Sequence, residues 1–402
     1  MVVNRYLVNA SLSNRTVTET TTFGSPLLLT GDEICVADLG LAEWVLIVLY
    51  AIVIIVDITG NGIVVYLILS ERQLRTITNV FLVNLAVADI AKAFTGIPFS
   101  LMVNLIFRYW PFAAFLCPFV AYIEIVVVFA SAFTMVAMSV DRYMAIVHPL
   151  RPKLTYNGVA LTLLMVWLLA FAMPIPTALS AGLHIPDISN ASDSHACYTK
   201  KVHCLENWSN ESQRSVYSLL IMTLQYGIPL VVLALTYTRI GVIIWVRRTP
   251  GEAVRQRDER FASSKRKMVK MMIVVVLLYA LCWLPLHTLQ LYTDLDPTIY
   301  DHIPNSHLLW NFILWLALVH ACCNPVIYFW MNKKFRYGFL RLLVCCLKRS
   351  VPPRNVRLNS QYTMNSIQHH NSIKTEKRYS VLSTRSGIGR TSVTAHAPSG
   401  SP

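Results

Sequence analysis

Seven stretches of mostly apolar residues, near 44–69, 79–103, 115–140, 159–180, 215–246, 268–291 and 307–330, constrain this chain more than any other feature. A bilayer core of about 30 Å and a rise of 1.5 Å per residue require about 20 such residues to cross once as a helix. Only 14% of the 402 residues are charged and 55% are hydrophobic, whereas soluble domains carry about 25% charged residues. The expectation is an all-α membrane protein, a seven-transmembrane helix bundle over 44–330. Residues 1–43 precede it and lack the apolar core of a signal peptide, so the first span is expected to direct its own insertion. Residues 331–348 are expected to form an amphipathic eighth helix, and 349–402 a disordered tail rich in Ser, Thr, Asn and Arg.

The net charge of +14 would suit nucleic acid, but its placement argues otherwise. With the N-terminus outside, the outer segments sum to −6, the spans to −2 and the inner segments to +22. That matches the excess of Lys and Arg on cytoplasmic loops, and a basic inner face suits anionic membrane lipid rather than nucleic acid. The expected address is the plasma membrane, multi-pass. Five Asn-X-Ser/Thr glycosylation triplets, at Asn9, Asn14, Asn190, Asn207 and Asn210, all fall on that outer side.

Cys35, Cys117, Cys197 and Cys204 also fall outside, where disulfides persist. A Cys117–Cys204 bridge would pin the second outer loop over the bundle and leave Cys35 and Cys197 to pair; four cysteines allow three pairings. On the inner side, FRYGFLRLLVCC carries Phe335, Phe339, Leu342 and Leu343 on one side and basic residues on the other. It is expected to lie on the membrane surface with palmitate on Cys345 and Cys346.

Within the spans stand Gly60-Asn61, then Asn84 to Asp89, then Asp141-Arg142-Tyr143. Trp167, Pro229 with Tyr237, Cys282-Trp283-Leu284-Pro285 and Asn324-Pro325-Val326-Ile327-Tyr328 follow. This ordered set resembles the rhodopsin-like (class A) G protein-coupled receptors over about residues 40–346. The resemblance implies a switch in which Arg142 leaves Asp141 to meet a heterotrimeric G protein, with Tyr237 and Tyr328 turning inward and Leu150 touching the partner. Tyr143, Trp283, Pro285, Asn324 and Pro325 belong to the same switch. Prolines 229, 285 and 325 withhold backbone donors and make kinks where helices can pivot. Arrestin and receptor kinases are implied partners of the tail.

Asp89, with Asn61, Ser131 and Asn324, resembles the family's internal sodium site, although His320 stands where Asn or Ser is more usual. Sodium is thus the one candidate cofactor or metal; no other is expected. Ala132 and Tyr279 depart from the usual bulky aliphatic and Phe, and Lys265 stands where some receptors have an acid. Leu318 replaces the Schiff-base lysine of an opsin, which excludes retinal.

Glu124 occupies the position at which amine receptors carry Asp, and Asp57, Lys92 and Glu124 are candidates for one buried network, with Lys92–Glu124 as its pair. Asp294, Asp296 and Asp301 give the third outer segment an acidic character that would attract a cation. The stretches YWPF, DRYMAIVHPLRPKL, RTPGEA, SSKRKMVKMMIVVV and CWLPLH are similar to the neuropeptide Y, RYamide/luqin and tachykinin receptor group. In receptors of that resemblance an acid like Asp294 takes an arginine of an amidated peptide. Glu124, Gln225, His287, Gln290, Asp294 and Trp310, with Glu206 above, are the candidate ligand residues. The expected function is reception of a small basic neuropeptide. The alternatives are a biogenic amine or other small cation at Glu124, and, more remotely, a transporter. No metal cluster or nucleophile–base pair suggests an enzyme.

Overall fold

The computed structural model describes residues 39–185, 202–246, 255–296 and 303–350, with side chains described except at 245, 246, 255–265, 268 and 345–350. Among the described residues, seven helices are long and apolar enough to cross a membrane: α1 Leu41–Ser70, α2 Ile77–Phe107, α3 Leu116–Val147, α4 Tyr156–Ser180, α5 Glu211–Ile244, α6 and α7. Helix α6 runs Arg255–Leu295, and α7 runs Ser306–Met331. Helix α8, Lys333–Ser350, follows after one residue. The chain divides into a unit of residues 1–342, which holds the seven spans, and a second unit from 343 onward. Cys35, Cys197, Asn9, Asn14, Asn190 and Asp301 lie outside the described residues, as do the side chains of Lys265, Cys345 and Cys346.

The elements start where the sequence supplies a cap. Thr76 accepts from the backbone N–H of Asn79, Thr155 from that of Gly158 and Asn210 from that of Ser212. Each satisfies one of the donors that a helix start leaves without an intrahelical partner. The helices outrun the apolar stretches because good helix formers continue beyond them: α6 extends back to Arg255 through RQRDERFASSKRK, a segment that needs no apolar neighbour to be helical.

Helix α3 is the centre. It packs against α2, α4 and α5, while α7 packs against α1 and α6. In α3, 72% of the membrane-length window is buried, against 22% in α4 and 17% in α5. The outward faces of α4 and α5 are apolar (Leu161, Leu164, Leu168; Val231, Leu235, Val242), which suits hydrocarbon rather than water. Asn84 and Trp167 tie three helices: Trp167 Nε1 donates to Asn84 Oδ1 at 2.9 Å, and Asn84 Nδ2 to Thr134 Oγ1 at 2.8 Å.

Two prolines leave a carbonyl without its helical donor, and a neighbouring helix fills the vacancy. Pro229 has no N–H for the carbonyl of Gln225, four residues back. Tyr279 of α6 donates its hydroxyl to that oxygen at 2.7 Å. Pro325 likewise has none for Ala321, whose carbonyl receives Asn61 Nδ2 of α1 at 3.4 Å. The backbone is a π-helix over Thr223–Gly227, just before Pro229, so the irregularity expected at that proline takes the form of a bulge. Gly60 lets α1 meet α7 there, since a Cβ at Gly60 would stand 2.9 Å from Pro325 Cγ.

Opposite the Asp141 end of the bundle lies a two-stranded antiparallel hairpin, β1 (Ala181–His184) and β2 (His203–Glu206), with Leu183 opposite Cys204. Cys204 is disulfide-bonded to Cys117 at the start of α3. Trp110 and Val120 bury the bridge.

Tyr279→Phe removes one methyl-sized hydroxyl and leaves the Gln225 carbonyl without its cross-helix donor. The expected cost is about 1–3 kcal/mol, read as a lower melting temperature of the purified chain. An unchanged melting temperature would show that the hydroxyl contributes nothing to the α5–α6 contact.

Candidate functional site

At the hairpin end a cleft opens to solvent. Six of the seven candidate ligand residues line it: Glu206 on β2, Gln225 on α5, His287, Gln290 and Asp294 on α6, and Trp310 on α7. Their positions follow from helix periodicity. His287, Gln290 and Asp294 stand three and four residues apart, so they share one face of α6. Gln225 sits in the π-helical turn that Pro229 follows, 0% exposed.

The floor and the mouth differ in character. Among the described residues, neither the amide nitrogen nor the amide oxygen of Gln225 has a hydrogen-bond partner, and the same holds for Trp310 Nε1. Gln290 lies beside His287, but without hydrogen-bond geometry to its buried ring nitrogens. The His287 ring is held between Tyr226 at 4.6 Å and Trp283 at 5.7 Å. Buried polar groups are almost always satisfied, so a floor of unsatisfied neutral donors and acceptors can hold a neutral polar group such as an amide. The mouth is ionic: Asp294 Oδ1 accepts from Arg214 Nη1 at 2.6 Å, and Glu206 Oε2 from Trp208 Nε1 at 2.8 Å.

Glu124 is the seventh candidate, and the structure does not bring it into this cleft. It lines a separate small cavity with Lys92, Ser100 and Trp283. Ser100 donates to Glu124 Oε1 at 2.9 Å, and a Cβ at Gly96 would stand 2.8 Å from the same oxygen. The carboxylate therefore leans into the notch of α2 beside Gly96. No signal on α3 itself could have placed it there; the missing side chain at Gly96 makes the room. Arg214, Tyr217 and Thr177 also shape the cleft and were missed by sequence reasoning. The Glu211/Arg214 spacing, one helical turn, was the available clue.

Deeper in the bundle, Asp89 is fully buried between two donors. Lys92 Nζ stands 3.3 Å from its Oδ1, and Asn324 Nδ2 donates to its Oδ2 at 3.0 Å. Asn61 turns to Asp57, one helical turn earlier, with its Nδ2 2.5 Å from Asp57 Oδ1. Lys92 is thus ion-paired on its own helix, to Asp89. A resident sodium does not fit this arrangement: the ammonium already supplies Asp89 with its counter-charge, and Asn324 and Lys92 point donors, not acceptors, at the carboxylate. Ser131 and His320 are buried in the same bundle, and the His320 ring meets Tyr279 edge-on at 5.3 Å.

At the other end, Arg142 Nη2 lies 2.5 Å from Asp141 Oδ2. Tyr143 packs on His148. Tyr237 and Tyr328 are both buried and face a small gap with Met135, Met138 and Met271. Tyr328 also packs on Phe335 of α8. Trp283 packs on Tyr279 with Pro285 two residues beyond it, and Asn324 and Pro325 adjoin Asp89 and Gly60 respectively. Seven spans, an α3-to-hairpin disulfide, an arginine–aspartate pair near the end of α3 and an α7 that carries Pro325 within it and Tyr328 in its last turn now stand together. The profile of the family described as "7 transmembrane receptor (rhodopsin family)" matches residues 60–328.

The chain belongs to that family.

It is not a family of enzymes. The chain is 42% identical over 315 residues to the RYamide receptor of Drosophila melanogaster, covering 76% of this chain and 66% of the relative. It is 40% identical over 308 residues to the RYamide receptor of Tribolium castaneum, covering 75% and 81%. It is 34% identical over 305 residues to the substance-P receptor of Homo sapiens, covering 74% and 70%. The seven spans of this receptor make it a multi-pass membrane protein. Among the described residues no group of three or more metal-ligating side chains converges.

If Lys92 is the counter-ion of Asp89, exchanging sodium for a large organic cation should change ligand affinity by less than about twofold. Lys92→Leu should make the affinity sodium-dependent. Sodium sensitivity of the unmodified receptor in a binding assay would contradict this.

Proposed function

We propose that this chain is a plasma-membrane receptor for a small basic, amidated neuropeptide, with its N-terminus outside, signalling to a heterotrimeric G protein. The observation that carries the reading is the pairing of an acid at the mouth of the cleft, Asp294, with unsatisfied neutral polar groups at its floor, Gln225 and Trp310. Such a cleft suits a ligand with a cation at one point and an uncharged amide at another. The names of the relatives support the same class: RYamide denotes an arginine, a tyrosine and an amide, and tachykinin-like receptors lie further out at 34% identity. An acid takes a guanidinium through two parallel hydrogen bonds, which gives direction as well as energy.

Binding between α5, α6 and α7 would shift the Trp283 stack and the Tyr279 tie, and α6 would swing outward about Pro285. Arg142 would then leave Asp141 for the G protein, with Tyr143, Tyr237 and Tyr328 rearranging around it and Leu150 on the second inner loop in contact. Helix α8 would lie on the inner leaflet with palmitate on Cys345 and Cys346. Arrestin and receptor kinases would meet the tail. Glycans would sit on the outer Asn residues; Asn207 and Asn210, the two described, are exposed. Cys35 would pair with Cys197.

The amine reading rests on Glu124. An amine there would have to draw the carboxylate away from Ser100 and the Gly96 notch, so the geometry favours the peptide. Expression in cells with a promiscuous G protein, challenged with a library of amidated neuropeptides and biogenic amines, decides between them. A calcium response to amidated, arginine-containing peptides is expected. A response to amines alone would sink the peptide reading. Asp294→Asn should lower peptide potency about 10- to 100-fold, the scale of one charge-assisted pair. Unchanged potency at normal surface expression would remove that contact.

A further inference from the structure

Asp294 already holds a guanidinium, and it comes from the receptor itself. Arg214 stands in the first turn of α5, positioned by a helix start that Asn210 caps. It crosses the mouth of the cleft to α6, where Nη1 meets Asp294 Oδ1 at 2.6 Å. Both side chains are mostly shielded, 13% and 11% exposed. The same guanidinium donates through Nε to Glu211 Oε2 at 2.7 Å, and Glu211 is 67% exposed on the rim. One arginine thus bridges a shielded acid inside the mouth and a solvated acid outside it.

A ligand arginine that takes Asp294 through both carboxylate oxygens needs the oxygen that Arg214 occupies. It would also bring a second positive charge against Arg214, which disfavours binding unless Arg214 withdraws. Glu211 supplies the place to withdraw to, one turn away on the same helix face, so the displaced guanidinium keeps a partner. An isolated shielded charge would be costly; a swap between two acids is not.

We infer that Arg214 is a specificity-determining residue, a tethered counter-ion that fills the cation seat at Asp294 and must be exchanged for the ligand's own guanidinium. This rests on the reading of Asp294 as the acid that receives a peptide arginine. The seat is kept neutral in the absence of ligand, which rejects weakly held cations and ties α5 to α6 at the mouth. A ligand is admitted when its remaining contacts with the floor of the cleft make the exchange favourable.

The test uses the full-length receptor in cells, a synthetic peptide ending Arg-Tyr-amide, and its analogue with neutral citrulline for arginine. Arg214→Gln is expected to raise the potency of the arginine peptide about tenfold, and that of the citrulline analogue not at all. Glu211→Gln is expected to lower the arginine peptide's potency in the unmodified background and to do nothing in the Arg214→Gln background. In the purified receptor without ligand, Arg214→Gln and Asp294→Asn are expected to be strongly non-additive in melting temperature. If Arg214→Gln leaves potency unchanged or lowers it, at equal surface expression, while Asp294→Asn still weakens the arginine peptide, the exchange is overturned and the reading of Asp294 stands. If the arginine and citrulline peptides are equipotent on both the unmodified receptor and Arg214→Gln, and Asp294→Asn costs nothing, that reading falls and the exchange with it. No response to the peptide from either form overturns both. Additive melting shifts would show that the ion pair is not formed and overturn the exchange alone.

Discussion

A backbone carbonyl inside a bilayer has no water to bond with, and much of this structure follows from that constraint. Regular helices meet it for most residues, which is why the chain is helical wherever it crosses. Proline breaks the ladder and leaves an oxygen that another helix must satisfy. Tyr279 of α6 does so for Gln225 of α5, and Asn61 of α1 does so for Ala321 of α7. Each bond joins two helices at a point where one of them is irregular. The same groups that hold the bundle together are therefore the groups whose exchange would let it move.

The charges obey the same logic with a higher penalty. Buried and half-buried charges need partners, and these acids lie against complementary groups: Glu43 against Arg108 and His307, Asp57 against Asn61, Asp89 against Lys92 and Asn324, Glu124 against Ser100, Asp141 against Arg142, Asp294 against Arg214. These contacts sort the acids by role. Glu124 and Asp89 are engaged within the helix packing. Asp294 is engaged at the mouth of an open cleft, by an arginine that has a second acid to move to. Asp141 is engaged at the opposite end, beside the loop that follows α3. An acid whose partner can leave is a better candidate for ligand or effector contact than one wedged between helices.

Much of this was visible in the amino-acid order. The apolar stretches located all seven spans, although α3 runs on past 140 to Val147 and α6 reaches back to Arg255, through charged helix formers that carry no hydropathy signal. Six of the seven candidate ligand residues do line one cleft, because positions on one helix face keep their spacing through folding. The hairpin and the Cys117–Cys204 bridge lie where a long loop and two cysteines permitted them. Lys92 and Glu124 were harder. Both are buried ionisable residues in apolar helices, and composition cannot say which of three acids a lysine will reach. Lys92 reached Asp89, three residues back on its own helix, an intrahelical neighbour at almost no conformational cost.

The amino-acid order alone determined that the chain spans a membrane seven times, which end of each span is bordered by basic residues, and which receptor family it resembles. Those are properties of single segments: their length, their hydropathy, their local motifs. Tertiary structure alone decided who partners whom. It set Tyr279 against a carbonyl that a proline fifty residues away had stripped of its donor, drew Glu124 into the room left by Gly96, and closed Asp294 with Arg214. The physical reason is that a partner is chosen by distance and direction between helices, and neither is encoded in any one of them.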